Sequence, residues 1–349
     1  MVEPPGVVRG VVLGPLTTLA VGGSARFFFE AGSETELMTA LTWARSEGLP
    51  TLILGDGSNV FVGDDGFNGL VIRQSSQRMR FEQTDNGLHV SVDAGVAWDR
   101  LVDEAVAKNA AGIECLTGIP GRVGAAPIQN IGAYGQEVAE TIVAVEAIER
   151  STGRSVKFSA SECGFAYRDS RFKRERGGWV VTRVHFILRP DGPPALRYGE
   201  LARRAEALER VSLSTVRTLV RSIRAEKSML RVEGDPNFHS AGSFFMNPVV
   251  DEATADRVAE RAEGLPRYPA PNGVKLSAAW LIEQAGFFKG WGDGPAGLSS
   301  RHALAVVNRG SAQADDILRT AVSVRDGVRD TFGVTLVPEP VFIGVAWPA

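Results

Sequence analysis

Only two cysteines, Cys115 and Cys163, occur in 349 residues, and they lie far apart without metal-type or redox-type spacing. Neither a disulfide nor a thiolate centre is indicated. The four scattered histidines supply no ligand pair, so no metal site is expected. No apolar run reaches the roughly 20 residues that a transmembrane helix needs, and the opening MVEPPGVVRG has neither an apolar core nor a cleavage site. A cytoplasmic location is expected. An excess of charge of one sign is also missing: 38 basic side chains against 41 acidic ones leave a net charge of -3. No overall field therefore gathers nucleic acid or an anionic membrane, and the default partner is a small molecule.

Glycine, by contrast, is abundant. Its 39 residues exceed the usual share of about 7% and gather in loops between apolar runs, where backbone can approach a ligand closely. The length exceeds what one core usually fills, so two or three domains are expected. ARFFFEA reads as a strand, and SETELMTALTWARSEGLP follows as a helix, with Ser33 as N-cap, Glu36 completing a capping box and Gly48 with Pro50 ending it. The strand TLILG comes next and runs into GDGSNV at 55–60, a common ligand position. From about 76 to 200, the strands LHVSVDAG, IVAVEAIE and WVVTRVHFIL alternate with the helix AWDRLVDEAVAKN, an α+β mixture. A third segment opens on the helix LSTVRTLVRSIRAEK and adds helices near 251–263, over KLSAAWLIEQAG and from about 312 to 332. In the last, Ile317, Ala321, Val324, Val328 and Phe332 recur at helical spacing and read as core. The strand TLVPEPVFIG closes the order.

Several stretches carry chemistry. LGDGSNVFV offers successive backbone N–H groups beside two glycines and two short polar side chains, the composition of a phosphate-holding nest, although alone it reads as an ordinary polar turn. GIPGRVGAAPIQNIGAYGQE, 118–137, packs poorly by itself. Its glycines, prolines and small residues suit wrapping a flat, polar-edged cofactor, and loops this long inside compact domains are usually functional. Among the basic residues, Arg168 stands beside Phe165 and Tyr167 and offers a planar fork for a carboxylate. Arg217, Arg221, Arg224 and Lys227 recur along one helical face, which reads as solvated, with Lys227 placed to reach a phosphate. Ser243, in HSAGSFFMNP, admits several readings: packing residue, cap, nucleophile or acid. Glu339 lies between Pro338 and Pro340, neither of which can donate to a sheet ladder, so its carboxylate is expected at a strand entry or edge.

Taken together, TTLAVGGSARFF, GDGSNVFV, GIPGRVGAAPIQNIGAYGQE, FAYRDSRFK, RYGEL, AGSFFMNP, KLSAAWLIEQAG and PEPVFIG resemble, in order and over nearly the whole chain, the UDP-N-acetylenolpyruvoylglucosamine reductases. The resemblance implies an α+β chain with a two-subdomain FAD-binding fold of the vanillyl-alcohol-oxidase (PCMH) type. It places the first subdomain at 1–75, rejoined by a strand at 340–349, the second at 76–210, and an α+β substrate-binding domain at 211–339. It implies non-covalent FAD, with NADPH as hydride donor and UDP-N-acetylglucosamine enolpyruvate as substrate. The diphosphate would rest on Gly55, Asp56, Gly57, Ser58, Asn59 and Val60. The ring system would lie against Gly118, Ile119, Pro120, Gly121, Gly124 and Ala125, then Gln129, Asn130, Ile131, Gly132, Ala133 and Tyr134. Arg168, Ser243 and Glu339 match the catalytic trio, and Tyr167, Tyr198, Lys227 and Asn247 the substrate-positioning residues. Pro340 stands where valine is common, SMLRVEGDPNFHS is longer than usual, and Arg301 with His302 stand where some members carry glutamines.

In the reaction so implied, charge develops on the carbon next to the reduced methylene and spreads into the carboxylate. Arg168 holds that carboxylate, a protonated Glu339 adds a hydrogen bond, and Ser243 delivers a proton, because so basic a carbon makes even a hydroxyl an adequate acid. His239 is a poor base for a nucleophilic serine because nothing nearby marks a triad. An oxidase of small alcohols on the same scaffold, and a catalytically silent nucleotide-sugar binding protein, are the alternatives. GDGSNV lacks the histidine that many such oxidases use to attach FAD covalently.

Overall fold

The computed structural model describes residues 2–348. Its helices are α1 (Glu34–Ser46), α2 (Trp98–Ala107), α3 (Arg171–Arg174), α4 (Gly199–Glu206), α5 (Leu213–Glu226), α6 (Glu252–Arg261), α7 (Ala278–Gln284) and α8 (Ala314–Phe332). Among the described residues no helix is long and apolar enough to cross a membrane, and no group of three or more His, Cys, Asp or Glu side chains is arranged to hold a metal ion. The chain separates into two compact units. One gathers the residues up to Val11, Arg26–Asp56 and Asn68–Ala225; the other gathers Val12–Ala25, Gly57–Phe67 and the residues from Glu226 onward.

In the first unit, α1 starts where Ser33 Oγ accepts the Glu36 N–H at 3.2 Å. The expected capping box is displaced by one residue, since the Glu36 carboxylate takes the Gly32 N–H at 2.8 Å rather than that of Ser33. Leu37, Leu41 and Ala44 of α1 bury themselves against Phe27, Phe29, Leu70 and Ile72 of a four-stranded sheet. Its strands Thr51–Leu54 and Phe67–Gln74 pair in parallel, so the chain leaves the first of them into the 55–60 turn. A larger, antiparallel sheet orders Ser155–Ser159, Ile142–Glu149, Trp179–Pro190, Gly87–Asp93 and Met79–Thr84. Alternation along these strands turns Val90, Val92, Val145, Val184 and Phe186 toward Trp98, Leu101 and Val102 of α2. Helix α5, expected to open the substrate-binding domain, packs within this unit through Val216, Val220 and Ile223, which meet Leu201 of α4 and Cys115.

In the second unit the predicted stripe Ile317, Ala321, Val324, Val328 and Phe332 of α8 is buried, in one core with Leu281 and Ile282 of α7 and Val258 of α6. Strand structure in TLVPEPVFIG is confined to Val341–Ile343, because Pro338 and Pro340 lack the N–H groups a longer ladder needs. That strand lies parallel to Val60–Val62, pairing Val341 with Val60 and Ile343 with Val62.

Candidate active site

The 55–60 turn is built on Gly57, whose φ of 61° is left-handed. A side chain at Gly57 would begin 2.2 Å from Leu16 O and 2.6 Å from the Thr17 Cα, so backbone crowds the turn where glycine alone fits. The Gly57 carbonyl accepts the Thr18 N–H at 3.0 Å. Asp56, at the other end, is committed: its Oδ1 accepts Arg122 Nε at 2.7 Å and lies 3.5 Å from Arg73 Nη2. Arg122 also donates to Gly95 O at 2.7 Å, which ties the glycine-rich segment to the turn. Sequence reasoning passed over Arg122, although a lone arginine among glycines was a usable signal. A left-handed glycine turn at a parallel strand's carboxyl end, with the Ser58 hydroxyl and the Asn59 amide beside it, fits the diphosphate of a dinucleotide.

The 118–135 segment is fixed along its length. Gly118, at φ 70°, donates to Asp99 Oδ1 at 2.7 Å, and the Gly121 carbonyl accepts the Trp98 N–H at 2.9 Å. Gly124 backs onto Ala94, whose Cβ would stand 2.5 Å from an added side chain. Asn130, 1% exposed and at φ 46°, spends its side chain within the protein: it donates to Glu137 Oε2 at 2.8 Å and Ala166 O at 3.1 Å and accepts the Ala139 N–H at 3.0 Å. It therefore shapes the turn and can meet a cofactor only through its backbone. Gly132 and Ala133 form a short hairpin with Gln136 and Glu137. Arg168 reaches this hairpin: its Nη2 donates to Gly132 O at 2.7 Å, and its carbon Cζ lies 5.5 Å from the Tyr167 ring centre. Arg168 is itself left-handed, φ 52°, and its carbonyl accepts Lys173 Nζ at 2.6 Å. Tyr198, half-exposed at the start of α4, meets Tyr134 edge-on with ring centres 5.2 Å apart.

Within the second unit the fold brings Ser243, Glu339 and Asn59 into neighbouring segments. The Glu339 N–H, the one donor between two prolines, donates to Phe244 O at 2.8 Å, and Met246 N–H donates to Val337 O at 3.0 Å. Asn59 closes the set, its Nδ2 donating to Glu339 O at 3.3 Å and its carbonyl accepting the Val341 N–H at 2.9 Å. Phe244 and Phe245 are fully buried, with ring centres 5.2 Å apart, and anchor the loop that presents Ser243. The Asn247 Oδ1 accepts the Ala278 N–H at 2.9 Å at the start of α7. The His239 ring bonds the Thr18 backbone, and burial with the nearby Arg231 charge depresses its basicity. The longer passage 228–240 is ordered through Asn237, which donates to Ser300 Oγ at 3.1 Å and accepts the Ser300 N–H at 2.9 Å.

Lys227 shares its surroundings with His302 and Lys289. Burial, and then the Lys227 and Lys289 charges, push the His302 imidazole down to about 4. The folded state thus resists a proton that the unfolded chain takes up near pH 6.5, so stability is fully present above that pH and is lost as pH falls toward 4. His302→Gln is expected to flatten this loss, by about 2 kcal/mol between pH 7 and 4 given that the ring keeps some exposure. Denaturant unfolding of both proteins across that range measures it, and parallel curves would refute the assignment.

The arginine stripe of α5, expected to be solvated, is only partly so. Arg217 Nε donates to Asp103 at 2.7 Å, Arg221 Nη1 to Asp99 at 2.6 Å, and Arg224 is 8% exposed. The carboxylate partners lie on α2, far upstream in sequence, where no local pattern announces them.

Residues 25–159 match the FAD binding domain family, and residues 235–343 match the family described as UDP-N-acetylenolpyruvoylglucosamine reductase, C-terminal domain. The chain is 46% identical to the UDP-N-acetylenolpyruvoylglucosamine reductase of Thermobifida fusca, over 97% of this chain and 98% of that one. Against the protein of that name from Streptomyces coelicolor the identity is 45%, over 99% and 92%. Among solved structures, the UDP-N-acetylenolpyruvylglucosamine reductase of Thermus caldophilus superposes with a TM-score of 0.65 at 26% identity, over 97% of this chain and 98% of that one.

Proposed function

This chain belongs to the UDP-N-acetylenolpyruvoylglucosamine reductase family, and on that premise we propose that it is a cytoplasmic enzyme that draws electrons from NADPH. It is an FAD-dependent oxidoreductase that reduces UDP-N-acetylglucosamine enolpyruvate to UDP-N-acetylmuramate in peptidoglycan synthesis. Bound FAD, held non-covalently by the 55–60 turn and the 118–134 segment, supplies the hydride chemistry. The functional division follows the chain: 1–75 with 340–349, and 76–210 with α5 packed on it, serve the cofactor, and the rest of 211–339 the substrate.

The protein's own share is charge and one proton. Reduction at the enolpyruvyl methylene leaves negative charge on the adjacent carbon and in the carboxylate. The Arg168 guanidinium, permanently charged, holds that carboxylate. Glu339 in its protonated form donates a second hydrogen bond to it, and the Ser243 hydroxyl gives its proton to the carbon. Tyr167, Tyr198, Lys227 and Asn247 position the nucleotide. One observation carries the reading: the backbone bond from Glu339 to Phe244 fixes the carboxyl-bearing residue against the serine-bearing loop.

The purified protein is expected to be yellow, to bleach when NADPH is added without air, and to regain colour on addition of the enolpyruvyl nucleotide. Colour restored by oxygen as fast as by the nucleotide would point instead to an oxidase. A colourless protein that binds no FAD would overturn the reading altogether.

A further inference from the structure

Helix α5 gives its buried face to Val216, Val220 and Ile223, and the adjoining stripe to three arginines spaced by four and three residues. The first two make ordinary, half-exposed ion pairs with α2. Arg224, in the last turn, differs: it is buried, and its guanidinium donates to the Tyr134 phenol oxygen while facing the Asp99 charge. Asp99 in turn accepts the Gly118 N–H at 2.7 Å and the Thr117 hydroxyl at 3.0 Å. Burial alone would raise the Asp99 carboxyl, but these donors and the Arg221 charge hold it below its ordinary range, so it stays ionised opposite the arginines. Both ends of the glycine-rich segment, Gly118 and Tyr134, are therefore tied to one short stretch of α5.

A guanidinium is costly to bury, and an apolar side chain of similar length would serve the packing of α4 and α5 at least as well. Tyr134, moreover, is held at φ 49°, a conformation non-glycine residues seldom adopt, and it packs into the α4–α5 cluster edge-on to Tyr198. The hydrogen bond from Arg224 fixes the phenol end of Tyr134, and the Tyr134 ring is the surface on which Tyr198 rests.

We propose that Arg224 is a positioning residue that acts through Tyr134 to fix Tyr198, and so sets the affinity for the nucleotide substrate without taking part in the chemistry. The inference rests on the proposed function for its catalytic readout only. Arg224→Met removes the hydrogen bond and keeps the apolar bulk, whereas Arg224→Lys keeps a donor for the Tyr134 phenol. Arg224→Met is expected to raise KM for the enolpyruvyl nucleotide about tenfold with kcat and FAD content nearly unchanged, and Arg224→Lys to restore most of the affinity.

A second measurement needs no turnover. Nitration of Tyr198 by tetranitromethane, followed by peptide mass spectrometry, is expected to change several-fold in Arg224→Met, as the ring loses its fixed neighbour, and little in Arg224→Lys. If the wild type fails to turn over, the proposed function falls, and the nitration result alone decides the role of Arg224. A KM in Arg224→Lys as high as in Arg224→Met, or unchanged KM and unchanged nitration with only a lowered melting temperature, would reduce Arg224 to a structural residue.

Discussion

Ser243→Ala leaves NADPH-driven bleaching of the flavin within about twofold of wild type and slows recovery of colour by the enolpyruvyl nucleotide by about 100-fold or more. The asymmetry follows from what the hydroxyl can do. Nothing in the first half of the proposed cycle requires a proton on substrate carbon, whereas the second half ends with one. Ser243 sits beside Phe244 and Phe245, whose burial holds the loop, so loss of one oxygen leaves the aromatic anchor in place. The backbone bonds that join Phe244 to Glu339 and Met246 to Val337 do not involve the serine side chain, and the variant should fold. Anaerobic stopped-flow absorbance separates the two halves. Equal slowing of both would make the serine a packing residue.

Gly57→Val should be more damaging still, and to stability rather than to one step. The added Cβ stands inside contact distance of Leu16 O and the Thr17 Cα, which are main-chain atoms and cannot rotate aside. A β-branched residue at φ 61° adds strain of about 1–3 kcal/mol. Together with the displaced backbone this passes about 4 kcal/mol, the range reserved for severe lesions. Because the Gly57 carbonyl bonds the Thr18 N–H, the lesion also disorders the turn proposed to hold the diphosphate, and FAD content falls with the melting temperature. Gly57→Ala carries the same Cβ and is expected to lose flavin as well. Gly294→Ala is the control, since a side chain there meets nothing within 4 Å. Full flavin and native melting in Gly57→Ala would contradict the crowding seen at the turn.

Local signals made much of this legible in advance. The α8 stripe, the Ser33 cap and the alternation in the large sheet each follow from a period or a side chain acting within a few residues. The position of Glu339 at a strand entry was likewise fixed by its two prolines. What stayed hidden depends on partners distant in the chain. The arginines of α5 look solvated until α2 supplies Asp99 and Asp103. The resemblance counts Asn130 among the residues against the flavin ring, yet Glu137, Ala166 and Ala139 occupy its side chain. The left-handed backbones of Tyr134 and Arg168 have no sequence signature, since neither residue type prefers that conformation.

The pairing of Val341–Ile343 with Val60–Val62 bears on how the molecule is made. The unit containing Ala225 and the residues before it is available for folding while translation is still under way, but 12–25 and 57–67 must wait for a strand made long after them. Until then Phe61 lacks the ring of Phe342, its neighbour at 5.1 Å, and the nascent chain carries an exposed apolar edge. Ending the chain before Val341 would leave Val60–Val62 without its paired strand and Phe61 without its ring neighbour, an apolar edge that proteases of quality control can recognise.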